Sequence, residues 1–96
     1  MKPVYRLICK RGYFDLAANG EILYDSERNY RRPGNDGHEW KVIGFGTRHN
    51  SNQIITLEAA ANGADIGQGW VHDRDHGTHR MWGMPTYRRA VKVVRA

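Results

Sequence analysis

Ninety-six residues, 40% of them hydrophobic and with no apolar run of membrane-spanning length, make one domain over residues 1–96 with a single modest core, and exclude wholesale disorder and a bilayer helix. The lone cysteine, Cys9, excludes an internal disulfide framework and suits a reducing compartment; charges follow Met1 where a signal peptide would be apolar, so a soluble cytoplasmic protein is expected. The formal charge of +5 is uneven: residues 1–75 hold ten basic and ten acidic residues, whereas residues 76–96 hold Arg80, Arg88, Arg89, Lys92 and Arg95 and no acid.

Taken in chain order, Val4–Cys9 reads as a strand, and Cys9, within the apolar Leu7-Ile8-Cys9, as a buried thiol. Asn19-Gly20 tolerates the positive φ angles of a tight hairpin turn, and the flanking segments predict Leu16 opposite Leu23 and Ala17 opposite Ile22. Arg31–Gly37 is a long loop rich in breakers, preceded by Tyr30 beside Arg31 and Arg32, an aromatic next to paired arginines. Glu39–Phe45 has the aromatic and β-branched content of a strand. Gly44-Phe45-Gly46 is a solitary GxG without a P-loop lysine, and Ser51 near His49 lacks a nucleophile elbow, so neither marks nucleotide binding or nucleophilic catalysis.

Residues 56–62 read two ways. Thr56 is a suitable helix N-cap and Asn62-Gly63 a suitable stop, yet the segment equally continues the strand begun at Gln53-Ile54-Ile55.

Three of the five histidines lie between Trp70 and Trp82, in His72-Asp73-Arg74-Asp75-His76-Gly77-Thr78-His79-Arg80. Asp75 and Gly77 argue for a hairpin bend here. A four-residue loop over Arg74–Gly77 places His72 opposite His79 and Trp70 opposite Met81. His72 and His79, with Asp75 or His76 from the loop, then offer three N/O donors to a divalent metal. A two-residue turn at His76-Gly77 instead sets Asp73 against Arg80 and Arg74 against His79, which leaves a surface ion pair and no metal site. Polar residues at a hairpin tip are commonly just solvated. A third reading makes Arg74, Arg80 and the histidines the rim of a partner-binding surface around Trp70 and Trp82, since Trp and Arg are typical of interface hot spots.

At the C-terminus, residues 86–95 read as helix from the stripe Tyr87, Ala90, Val91 and Val94, and as strand from their valines. As a helix the segment aligns Arg88, Lys92 and Arg95 on one face, with Arg89 beside it; as an edge strand it spreads them over both. Tyr87-Arg88-Arg89 repeats the aromatic-plus-arginine pattern of residues 30–32, a pairing used in single-strand binding. A self-solvated basic tail in an arginine-rich chain accounts for the same charges.

Turn signals every 8–12 residues predict a mainly β or α+β domain: an antiparallel meander curled into a sheet or small barrel, with up to two short helices at 56–62 and 86–95. No pair of carboxylates or nucleophile–base set marks an enzyme. The expected function is non-enzymatic binding of nucleic acid or a nucleoprotein complex through the basic segment, using Arg31, Arg32, Arg74, Arg80, Tyr87, Arg88, Arg89, Lys92, Arg95, Trp70 and Trp82. The alternative is a protein-binding accessory or inhibitor, of the kind encoded by phages and mobile elements, acting through the Trp70–Trp82 hairpin and the 31–37 loop. No cofactor is expected unless the histidines hold a divalent metal.

Overall fold

In the computed structural model the described residues are 2–27, 40–47, 54–81 and 89–96. They form seven strands and one short helix: β1 (Tyr5–Cys9), β2 (Tyr13–Leu16), β3 (Ile22–Asp25), β4 (Lys41–Phe45), α1 (Leu57–Ala61), β5 (Gly69–Asp73), β6 (Gly77–Arg80) and β7 (Ala90–Arg95). The protein is mainly β, as its turn spacing predicts.

Two antiparallel sheets divide the strands, one ordered β3-β2-β1-β7 and the other β4-β5-β6. They meet where the end of the β2–β3 turn touches β4. There Glu21 bridges Lys41, the Val42 N–H donates to the Gly20 carbonyl at 2.8 Å, and the Ile22 N–H to the Trp40 carbonyl at 3.3 Å. Gly20 suits this junction doubly: its φ is +90°, and a Cβ would lie 2.0 Å from the Val42 oxygen. Among the described residues the joined sheets curl but do not close into a barrel.

Strand alternation decides which side chains enter the core. Tyr5, Leu7 and Cys9 are buried while Arg6 and Ile8 between them are half-buried, and Phe14 and Leu16 alternate in the same way with Tyr13 and Asp15. The inward residues join Ile22, Trp40, Val42, Phe45, Val71, Met81 and Val93 in one core. Each large side chain so buried contributes about 1.5–3 kcal/mol relative to an exposed one.

The first hairpin pairs Phe14–Asp25 and Asp15–Tyr24, then shifts at a bulge that sets Leu16 opposite Ile22, so neither of the expected pairs Leu16–Leu23 and Ala17–Ile22 forms; the Ala17 N–H donates instead to the Glu21 carbonyl. Residues 57–61 are helix, resolving the ambiguity of that segment. Thr56 Oγ1 accepts from the Ala59 N–H at 3.1 Å and Glu58 occupies the favourable first turn. At the other end, Gly63 (φ +104°) donates to the Ala60 carbonyl and Ala64 to that of Ala59, the paired bonds of a Schellman stop. Leu57 and Ala60 face the core, and the helix packs on β7 and β4.

Residues 90–95, by contrast, are strand and not helix. The open edge of β1 offers a ladder, and pairing along it sets Val93 opposite Leu7 inside the core, which suits the β-branched valines better than a helical turn. Helix length and apolarity suffice nowhere among the described residues to cross a membrane.

Candidate functional site

Pairing in the four-stranded sheet fixes what its outward face displays. Arg6 stands between Asp15 on β2 and Val94 on β7, and Tyr24 continues that row on β3. The next row is Tyr13, Ile8 and Lys92. Two tyrosines, two cations and two aliphatic side chains thus share one face with a single acid, although they come from four strands spread between residues 6 and 94.

Asp15 orients the central cation. Its Oδ1 accepts from Arg6 Nε at 2.8 Å and its Oδ2 from Nη2 at 3.5 Å, the fork geometry that only arginine supplies. This hydrogen bond, reinforced by the carboxylate's charge, raises the Arg6 pKa further above its already high value. The guanidinium carbon lies 4.0 Å from the centre of the Tyr13 ring, its diagonal neighbour. Tyr24 follows, its ring 6.1 Å from that of Tyr13 and inclined by 45°. With the Arg6 side chain 39% accessible and Asp15 at 14%, the cation faces outward and the acid sits below it.

One end of this face is strongly basic. Lys10 and Arg11 occupy the β1–β2 turn, and the Lys10 N–H donates to the Arg89 carbonyl at 2.8 Å, which brings the start of the C-terminal segment beside them. Lys10, Arg11, Arg89 and Lys92 are all exposed. Arg11 also pairs with Glu27 at 3.2 Å, an exposed contact of small energetic weight.

The rest of the basic segment is split by alternation. Arg95 points to the helix side of the sheet, where its Nη2 donates to Asn62 Oδ1 at 2.8 Å and its guanidinium carbon lies 5.8 Å from the Tyr5 ring centre. Lys92 and Arg95 therefore serve different faces.

In the histidine-rich hairpin neither predicted register occurs. The pairs are Trp70–Arg80, Val71–His79, His72–Thr78 and Asp73–Gly77, so the connection is the three residues Arg74–His76, with Gly77 at φ +75°. This slip puts His72 and His79 on opposite faces of the ribbon. His72 Nδ1 lies 3.1 Å from Thr78 Oγ1 on the outward side, where Arg80 also lies over the Trp70 ring at 5.5 Å.

His79 turns to the other side and meets the core residue Trp40 edge-on, ring centres 6.0 Å apart, while His76 covers the same indole at 6.2 Å. The turn is tied down by Asp73, whose buried Oδ2 accepts from the backbone N–H groups of Asp75 and His76 and lies 2.8 Å from His76 Nδ1. His79 Nε2 contacts the His76 carbonyl. Arg74 and Asp75 form an exposed pair at 3.6 Å at the tip. Among the described residues no group of three or more His, Cys, Asp or Glu is placed to hold a metal ion.

Arg31, Arg32, the 31–37 loop, Trp82, Tyr87 and Arg88 lie outside the described residues. Sequence reasoning missed Arg6, Lys10, Arg11, Tyr13 and Tyr24. Period-two alternation in Tyr5–Cys9 and Tyr13–Leu16 carried the signal for Arg6, Tyr13 and Asp15, since these are the residues left over once the apolar face is assigned. The chain matches no protein-family model, no curated protein and no solved structure.

Proposed function

We propose that this protein binds nucleic acid, and that the outward face of the four-stranded sheet with its basic end is the surface it uses. One observation carries the reading: β7 docks on β1, so Arg89 and Lys92 from the acid-free C-terminal segment stand beside Lys10, Arg11 and Arg6 from the N-terminal hairpin. Five cations then face two acids, Asp15 and Glu27, each already engaged by an arginine. A one-sided cluster of this kind matches the charge of a phosphate backbone.

Fluorescence anisotropy with labelled DNA and RNA tests it. Affinity falls steeply with added salt, and the slope of log K against log salt decreases by about one for each phosphate contact removed in Arg89→Ala or Lys92→Ala. No binding of either polymer at low salt would overturn the proposal.

A second reading, a protein-binding accessory or inhibitor, is favoured by a separate observation. Trp70 lies under Arg80 on the outward face of β5–β6, with His72 and its cross-strand neighbour Lys41 alongside. Aromatic and arginine side chains so combined are typical interface anchors. Its mark is a stoichiometric protein complex that survives moderate salt and is lost in Trp70→Ala.

A further inference from the structure

We infer that the polymer is single-stranded and that its bases stack on the Arg6–Tyr13–Tyr24 cluster while its phosphates follow the basic β7 side; this rests on the nucleic-acid reading above. A duplex exposes only base edges, within its grooves, whereas this sheet face offers aromatic rings and a guanidinium, groups that take the flat faces of bases. A sheet face suits unpaired bases, which lie flat on aromatic rings and on guanidinium planes.

The cluster has both kinds of platform. Tyr24 presents a second ring 6.1 Å from Tyr13, and the guanidinium of Arg6, its carbon 4.0 Å from the centre of the Tyr13 ring, stays partly accessible on this face. Asp15 fixes that orientation through the 2.8 Å bond to Nε. The face is also polarised. Its rings lie on β2 and β3, Lys92 and the aliphatic Val94 on β7 and Arg89 just before it, with Ile8 of β1 as the apolar position between the Tyr13 ring and Lys92. A strand laid along the sheet with its bases toward β3 therefore meets stacking partners on one side and ammonium and guanidinium groups on the other.

The test compares three fluorescein-labelled ligands of equal length: a single strand, its blunt duplex, and an abasic single strand with the same phosphates, each in ribose and deoxyribose form where chemistry allows. The intact single strand binds more tightly than the duplex, and loss of the bases weakens binding about tenfold or more, as one or two lost stacks require. Tyr13→Ala and Tyr24→Ala each weaken the intact strand about tenfold but leave abasic binding unchanged. Lys92→Ala weakens both single strands alike.

Tyr13→Leu and Tyr24→Leu, checked by circular dichroism for an unaltered fold, repeat the measurement with the apolar bulk retained. Duplex bound as tightly as single strand, or tyrosine variants bound as tightly as the parent, overturns the inference and leaves phosphate-directed binding standing. Binding of none of the ligands removes the nucleic-acid reading itself.

Discussion

The histidine-rich hairpin and the outward face of the four-stranded sheet make an instructive pair. The hairpin holds the densest run of chemically able side chains in the chain, yet strand alternation and a three-residue connection scatter them: His72 outward beside Thr78, His76 and His79 onto Trp40, Asp73 into the turn. On the sheet, Arg6, Tyr13, Tyr24 and Lys92 are far apart in sequence and adjacent in space. Density along a strand therefore says little about convergence, because neighbouring residues face opposite ways, whereas strand order gathers residues from distant positions onto one surface.

The largest expected effect concerns the joint that holds the two regions together. Gly20→Ala forces an L side chain into φ +90° and onto the Val42 carbonyl, and is expected to destabilise by about 3 kcal/mol in urea denaturation. Gly77→Ala at the hairpin tip has φ +75° but nothing within 4 Å of the added carbon, so about 1 kcal/mol is expected. Equal losses would deny that the sheets abut at Gly20.

Next in size is a contrast within one strand. Lys92→Ala should weaken polyanion binding several-fold, about one phosphate contact's worth, with little change in stability. Arg95→Ala, three pairs further along β7 and therefore on the opposite side, removes the Tyr5 and Asn62 contacts and costs about 0.5–1 kcal/mol of stability while binding stays at parental affinity. A binding loss in both variants would mean that the two faces do not act separately.

In the hairpin, His76→Ala removes one bond to a buried carboxylate that keeps the backbone N–H groups of Asp75 and His76 as donors. About 1 kcal/mol of stability is expected to be lost, with no change in nucleic-acid affinity. The smallest effect is Asp15→Asn, which removes the one acid within the sheet face. Affinity for polyanions rises about two- to threefold, and loss of the partly buried ion pair costs about 1 kcal/mol. A fall in affinity would show that fixing Arg6 in place matters more than its neutralisation.

Much of the fold was legible where local chemistry decides it. The caps of α1, Thr56 and Asn62-Gly63, act within one helical turn of themselves and were visible in one of the two readings of residues 56–62, and the Asn19-Gly20 signal located the first hairpin although the bulge displaced its expected pairs next to the turn. Non-local decisions were not legible. Residues 90–95 carry both periodicities, and the edge of β1, some eighty residues earlier, settles them as strand. The β5–β6 register hinged on whether two, three or four residues form the bend, and Asp, His and Gly tolerate all three. A one-residue slip there exchanges the faces of every later side chain, which is why the His72–His79 pair does not form. The sheet-face site was hidden for a related reason: Arg6, Tyr13 and Tyr24 look like ordinary outward strand positions until the order β3-β2-β1-β7 sets them side by side.

The most direct measurement is an amide and side-chain NMR titration of the intact protein with a short single-stranded oligonucleotide. Binding at the sheet face shifts Arg6, Ile8, Tyr13, Tyr24, Lys92 and Val94, including the Arg6 Nε–H resonance and the tyrosine ring protons, and leaves Trp70 to Arg80 unmoved. Shifts confined to the Trp70–Arg80 hairpin, with the sheet face silent, would contradict it.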